Sequence, residues 1–325
     1  TLPFFAIFLP IMIAMGFDSL TAFMIVFIGA KAGYIASTVN PFSVLIAQGV
    51  IGITGNPQLW LRAIMFVVIV GLSIGWVVLY ARKVRKNPEL SLTFHDDKQK
   101  RLDMGAVDDD VPFTTAQKWI LVVFLAGMAL IVWGLVSQGW YMSELSAVFL
   151  AMGLLAGIIA RFSQQKIAQE FVVGLKDFAF SAIVIGLARG VNHVLTEGMI
   201  SDTMLNAASN LVAGMSGPLF VICLLLIFFV LGFVVPSSSG LAVLAMPIFA
   251  PLADTVGIPR WIIVAAYQFG QYAMLYIAPT GLVMATLQML DMKMSHWFKF
   301  VWPMMVFTLV FGAILLSVCS VVFAV

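Results

Sequence analysis

Uninterrupted apolar runs occupy roughly 59–81, 119–137, 143–161, 178–196 and 300–322. A helix rises about 1.5 Å per residue, so about 18–20 such residues cross the hydrocarbon of a bilayer. Lipid offers the backbone no hydrogen bonds, and segments of this length satisfy their own groups only as helices. With 62% of its 325 residues hydrophobic and 10% charged, the chain reads as an all-α, multi-pass integral membrane protein. A formal charge of +2 with no basic face gives no reason to expect nucleic acid as a partner. Cys223 and Cys319 both lie in apolar runs and read as packing residues. No cofactor or metal motif accompanies them. The opening Thr1-Leu2-Pro3-Phe4-Phe5 is already apolar and no Met or basic stretch precedes it, unlike a signal peptide. Any internal symmetry is therefore expected to look incomplete at this end.

The one long polar stretch runs from Arg82 to Lys118 and holds eight of the 17 basic residues. Positive-inside bias places it in the cytoplasm as a partly disordered linker. Threading from there puts Arg161 with Lys166, and Lys293 with Lys299, on the cytoplasmic side. Glu197, Asp202, Asp254 and the C-terminus come out on the other.

Three polar, proline-punctuated breaks interrupt the remaining apolar sequence: Val39-Asn40-Pro41-Phe42-Ser43, Pro236-Ser237-Ser238-Ser239-Gly240 and Ala278-Pro279-Thr280-Gly281. Irregular backbone at membrane depth persists only where protein or a water-filled cavity satisfies it, so the breaks mark a cavity. The arms around Pro236, about 217–235 and 241–253, look short for full spans and predict a re-entrant hairpin near 217–253. The other two breaks predict broken helices. Each break precedes a new half-helix, at about 42–54, 241–253 and 282–290, and three converging N-termini would hold an anion without Arg or Lys. Carbonyls before the breaks, at Val39, Val235 and Ala278, suit a sodium ion. Asn40, Ser237, Ser238, Ser239, Gly240, Thr280 and Gly281 are the candidate substrate-binding residues. Ordinary kinked helices are the plainer alternative.

Pro10, Gly16, Gly29 and Pro41 recur as Pro251, Gly257, Gly270 and Pro279, with two of the three spacings equal and the last three residues shorter. Charge places the two copies in opposite orientations, as in inverted-repeat transporters.

At Gly16-Phe17-Asp18-Ser19, Asn40-Pro41-Phe42 with Ala47-Gln48-Gly49, Pro236-Ser237-Ser238-Ser239-Gly240, Met246-Pro247-Ile248 with Ala250-Pro251-Leu252-Ala253-Asp254, and Trp297-Phe298-Lys299-Phe300, the chain resembles the YfcC/DcuC family of bacterial carriers. The resemblance implies the ion transporter superfamily, with inverted repeats, two re-entrant hairpins, a dimer-forming scaffold and an elevator-type moving transport domain in the bacterial cytoplasmic (inner) membrane. It implies a substrate among four-carbon dicarboxylates or amino acids, including basic amino acid exchange. The family's acidic pair falls just before the position of Thr1. Three positions depart from the family pattern: Lys31 where a small or apolar residue is usual, Leu275 where Asn is common, and a Pro279-Thr280-Gly281 turn one residue short.

The expected division places residues 1–57 and 178–291 in the transport domain. A scaffold of 58–81, 119–162 and 298–325 would carry a homodimer interface, with 82–118 as linker and 163–177 as an amphipathic connector. Intramembrane charges normally face a partner or a cavity. Arg189, with Asn192 and His193, would meet a substrate carboxylate or pair with Asp177 or Asp202. Lys31 would serve the site or snorkel to the interface. Gln268 and Gln271 would line the cavity or cross-link helices. The expected function is secondary transport of a small carboxylate-bearing solute, coupled to sodium or proton or by exchange, and not catalysis. Two alternatives are an intramembrane serine protease using Ser239 and His193, and an anion channel.

Overall fold

The computed structural model describes residues 2–38, 40, 42–54, 57–103, 114–138, 140 and 142–324, and holds helices with no strand among them. Among the described residues, five helical segments are long and apolar enough to cross a membrane: Leu59–Lys86, Gly217–Val234, Ser238–Thr255, Arg260–Met289 and Met294–Val322. The chain divides into two compact units, one of residues 1–106 and 181–325 and one of 107–180.

The smaller unit is built from α6 (Thr115–Ser137), α7 (Met142–Ile159) and the first half of α8 (Gln164–Glu197). Thr114 and Gln117 form a capping box that starts α6, each bonding the other's backbone N–H. Gly127 of α6 lets Met152 of α7 approach so closely that an added Cβ would lie 2.2 Å from its sulfur. The segments 163–177 and 178–196, expected as a connector and a separate span, lie from residue 164 onward in one helix, Gln164–Glu197.

The larger unit begins with α1 (Leu2–Ala14), α2 (Ser19–Ile35), α3 (Val44–Val50), α4 (Leu59–Lys86), a 3₁₀ turn (Pro88–Leu90) and α5 (Phe94–Asp103). After α8 come α9 (Ile200–Val212), α10 (Gly217–Val234), α11 (Ser238–Thr255), α12 (Arg260–Ile277), α13 (Gly281–Met289) and α14 (Met294–Val322). α12 is the central post: every residue from Trp261 to Tyr276 is buried, and α2, α3, α10, α11 and α14 pack on it. A helix enclosed on every face is apolar or has its polar side chains bonded within the protein. Lipid supplies no hydrophobic drive between helices, so close packing must hold them. Glycines provide it. A Cβ on Gly270 would lie 2.3 Å from the Leu225 carbonyl oxygen, and one on Gly232 would lie 3.1 Å from the Gln271 Cα. α10, α12 and α14 meet at the same place, where Gly312 leaves room for Leu225 and Phe269.

The repeat seen in the sequence appears in the backbone. α1 ends with Gly16 N–H bonded to Ile13 O and Phe17 N–H to Met12 O. α11 ends with Gly257 N–H bonded to Asp254 O and Ile258 N–H to Ala253 O. Both glycines are left-handed, at φ 81° and 72°. α2 starts at 19 and α12 at 260, a shift of 241. The short helices α3 and α13 close with the same paired bonds, centred on Gly52 and Asp291, a shift of 239. The second copy is thus two residues shorter across its break.

Two expectations change. The arms about Pro236 are each 18 residues, about 27 Å long, because Ser238–Gly240 form the first turn of α11 and Pro247 and Pro251 do not end it. α10 and α11 touch where Phe228 meets Phe249, ring centroids 5.4 Å apart. The stretch expected as a partly disordered linker is helical through Lys86 and again over Phe94–Asp103. Two fully buried carboxylates dock it. Asp18, the N-cap of α2, accepts from Thr21 N (2.8 Å), the Tyr80 hydroxyl (2.7 Å) and Ser91 Oγ (2.6 Å). Asp97 accepts from Ser19 N (2.8 Å), Ser19 Oγ (2.6 Å), Thr93 Oγ1 (2.8 Å) and Lys100 Nζ (3.0 Å). Buried charge persists only with such saturation, and the α2 N-terminus favours anions further.

Candidate functional site

Where α2 stops, its last carbonyls have no helical partner. Gln268 of α12 supplies one: its Nε2 donates to Tyr34 O (3.1 Å), Ser37 O (3.4 Å) and Ser37 Oγ (3.2 Å). Arg62, 2% exposed in the first turn of α4, donates to Gln268 Oε1 (3.0 Å), Ser37 O (3.5 Å) and Trp261 O (3.3 Å). At the second break, Gln271 Nε2 donates to Val235 O (3.3 Å) and Ser237 O (3.1 Å), and the Tyr267 hydroxyl to Ser238 O (2.6 Å). The two glutamines cross-link helices. One post thus supports both interruptions.

Tyr272 of α12 joins the two breaks. Its hydroxyl donates to Ser238 Oγ at 2.6 Å, and its ring stacks on Tyr34 with centroids 5.2 Å apart. Ser43, at the start of α3, lies close to that hydroxyl, yet its wholly buried Oγ has no partner of standard geometry. Lys31 Nζ sits over the Tyr272 ring at 5.8 Å and over Phe27 at 5.2 Å. Asn40 Oδ1 accepts from Phe42 N (2.8 Å), closing an Asx turn ahead of α3. Ser237 Oγ caps Gly240 N (3.2 Å), and Ser237 to Gly240 are all half-buried. The first turn of α11 is therefore reachable from outside the protein.

The other expected residues stand apart from this group. Thr280, half-buried, and Gly281 begin α13, which packs on α1. Among the described residues, no hydrogen bond carries Thr280 to Ser238 or Tyr272. Of the carbonyls proposed for a cation, Val235 O accepts from Gln271 and Ala278 O from Thr280 N (2.7 Å). Val39 lies outside the described residues. Arg189 and Asn192 are on α8, and their side chains fall outside those described. His193 is exposed beside Glu197 at 3.9 Å, His95 packs on Phe94, and His296 lies 3.2 Å from Asp96. None of the three touches the serine turn, so a serine–histidine nucleophile is not assembled there.

Sequence reasoning passed over Arg62, Asp18 and Asp97. Asp18-Ser19-Leu20-Thr21 ahead of an apolar run is an N-cap signature and pointed to the first carboxylate. Nothing local marked the other two.

The features above define a multi-pass, all-helical membrane protein whose centre is a pair of supported helix breaks. The chain belongs to the DcuC family, described as C4-dicarboxylate anaerobic carriers, which it matches over residues 1–321. It is 42% identical over 318 residues to an uncharacterized protein of Haemophilus influenzae Rd, covering 97% of this chain and 62% of that protein. It is 32% identical over 308 residues to YfcC of Escherichia coli K12, provisionally described as a basic amino acid antiporter, covering 91% of this chain and 61% of that one. The chain thus spans about three fifths of the length of these curated relatives. Two solved structures are similar over 95% of the chain: the YdaH transporter of Alcanivorax borkumensis (TM-score 0.47, 15% identity, 72% of that chain) and MtrF of Neisseria gonorrhoeae, described with a class of antimetabolite efflux pumps (TM-score 0.42, 17% identity, 69% of that chain).

Proposed function

We propose that the protein is an elevator-type secondary active transporter of the bacterial cytoplasmic membrane that moves a small carboxylate-bearing solute, a dicarboxylate or an amino acid. The observation that carries this reading is the meeting of the α3 start and the α11 start at Tyr272, with the turn Ser237–Gly240 half-buried and reachable. The N–H groups of α11's first turn suit a carboxylate, and Ser239 and Asn40 lie within the two breaks to orient it. Coupling to sodium draws support from Gln271 Oε1, a buried acceptor without a partner next to the Val235 and Ser237 carbonyls. Proton coupling and exchange remain the alternatives within the same proposal. Residues 1–57 and 178–291 would move against a scaffold of 58–81, 119–162 and 298–325, which also supports a homodimer.

The test is uptake by the full-length protein in proteoliposomes, with and without a sodium gradient. Ser238→Ala and Asn40→Ala are expected to abolish uptake while the protein still elutes as a folded species. Unchanged uptake in both variants removes these residues from the site. Uptake that never saturates and shows no exchange favours a channel.

A further inference from the structure

Among the described residues, α4 is the least enclosed of the five membrane-length helices, and an apolar cleft runs along each side of it. One, of about 170 Å³, lies between α4 and α14 and is lined by Leu72, Trp76, Pro303 and Phe307. The other, of about 230 Å³, lies between α4 and α2 and is lined by Ile25, Gly29, Ile74 and Val78. Ser73 stands on the wall of both. Leu72 and Phe307 on the first and Ile25 and Ile74 on the second are exposed, so both clefts open outward to where lipid chains lie. At the end of α4 that positive-inside bias assigns to the cytoplasm stand four exposed cations, Arg82, Lys83, Arg85 and Lys86. Helical periodicity divides them two and two. Lys83 and Lys86 continue the stripe of Leu72 and Trp76, whereas Arg82 and Arg85 continue that of Ile74 and Val78. The Arg85 guanidinium lies 5.8 Å from the ring of Phe17, the residue ahead of the α2 cap, which places it on the α2 side. Lys299 of α14, exposed one turn before Pro303, adds a cation at the first mouth.

Among the described residues, no carboxylate lies within ion-pair distance of these five. The nearby acids are engaged elsewhere: Asp97 with Ser19, Thr93 and Lys100, and Asp96 with His296 and Lys293. Cytoplasmic helix ends are basic in general, but that bias alone does not set a pair of cations below each of two clefts. The apolar cleft between α9 and α10 is the contrast, since neither of its helices carries a Lys or Arg.

We propose that α4 is straddled by one molecule of diphosphatidylglycerol, an anionic phospholipid with two phosphates and four acyl chains. One phosphate rests on Lys83 and Lys86 with Lys299, the other on Arg82 and Arg85, and the chains enter the two clefts. Basic pockets between spans on the cytoplasmic side hold such headgroups. The long Lys and Arg stems reach round the helix toward the glycerol that joins the phosphates. A lipid with one phosphate satisfies one side only. The proposal is independent of the transported solute.

The experiment titrates the delipidated full-length protein in detergent with diphosphatidylglycerol, phosphatidylglycerol or phosphatidylethanolamine. Native mass spectrometry counts the bound lipid and thermal melting reads the affinity. Diphosphatidylglycerol should bind at one molecule per chain, about tenfold or more tighter than phosphatidylglycerol at equal phosphate. Arg82→Gln with Arg85→Gln, and separately Lys83→Gln with Lys86→Gln, should each bring it down about tenfold, toward the phosphatidylglycerol level. Each pair leaves six of the eight basic residues of 82–118, so the orientation of the chain is kept. Gly29→Leu fills the α2 cleft where an added Cβ meets nothing within 4 Å, and should weaken diphosphatidylglycerol severalfold with the lipid-free melting temperature unchanged. Should that variant not fold, Ile25→Trp, at an exposed position of the same cleft, replaces it. Equal affinity for the two anionic lipids at matched phosphate means a basic surface only and overturns the proposal. Unchanged affinity in either pair variant or in the filled cleft overturns it as well. Leu72→Cys crosslinking to a second copy in native membranes, beyond the wild-type level, puts that copy on α4 in place of lipid and also overturns it.

Discussion

The two copies of the repeat share their ends and differ in their middles. Each has a helix closed by a left-handed glycine, a second helix, a break, and a short helix closed by paired backbone bonds. Between those shared ends, α12 is buried from Trp261 to Tyr276, whereas α2 keeps Ile25 and Gly29 exposed. The polar groups divide unequally as well. Gln268, Gln271, Tyr267 and Tyr272 all stand on α12 and serve the break of the first copy and the serine turn ahead of α11, while α2 contributes Lys31, which hydrogen-bonds to neither. The likeness fixes where the chain turns, and the unlikeness fixes which copy is post and which is wall.

The largest expected effect tests the middles. Gly29 and Gly270 occupy matching positions, yet a Cβ on Gly29 meets nothing within 4 Å while one on Gly270 lies 2.3 Å from Leu225 O. Gly270→Ala should cost about 3 kcal/mol or more, since α10 cannot retreat without losing its contacts on both α12 and α14. Gly29→Ala should be neutral or stabilising by up to about 1 kcal/mol through helix propensity. Thermal melting of the purified protein in detergent measures both, and equal shifts would mean that α12 is not the tighter post.

The next effect concerns the breaks. Gln271→Leu removes a donor from two carbonyls, Val235 O and Ser237 O, and should cost about 1–3 kcal/mol. Gln268→Leu should cost at least as much, because it takes a donor from Tyr34 O and Ser37 Oγ and an acceptor from the buried Arg62. A clearly smaller loss would show that the first break depends on the arginine rather than the glutamine.

The spans at 59–81 and 300–322 and the three breaks were legible in the sequence because each follows from a local property, the length of an apolar run or a proline among polar residues, whereas the arms on either side of Pro236 looked too short to span and are each 18 residues. The fold of 82–103 was not. Asp97 and Lys100 look like solvent residues, and Asp97 is buried only because Ser19, 78 residues away, donates two hydrogen bonds to it. Arg62 was hidden for a similar reason: a charge near the end of an apolar run usually anchors at the interface, and only the arrival of Ser37 and Trp261 encloses it. Of the candidate site, the serine turn and the first break were readable, while their link through Tyr272 depended on the packing of α12, which no local pattern encodes. Thr280 illustrates the opposite case, a residue in the right kind of break on a helix that packs on α1.

The smallest effect tests the shared ends. Gly16 and Gly257 adopt φ of 81° and 72° and make the same pair of backbone bonds, so an alanine at either should cost about 1 kcal/mol for the left-handed conformation. Around Gly16 there is no steric excuse for a larger cost, since an added Cβ meets nothing within 4 Å. The turns are nevertheless braced by unlike means. After Gly16 the brace is Asp18, fully buried and bonded to Tyr80 and Ser91. After Gly257 it is Arg260, which holds Asp254 through bonds of 3.0, 3.0 and 2.6 Å and the Ile51 carbonyl at 2.7 Å, with both charged groups more than two-fifths exposed. Exposed pairs are screened by salt and buried carboxylates are not. Melting of Gly16→Ala should therefore be insensitive to added salt, and melting of Gly257→Ala should fall further as salt rises, because strained backbone then rests on a weakened brace. Matching salt responses would show that the two turns are equivalent in their supports as well as in their backbone, and that the difference between the copies lies wholly in the helices between.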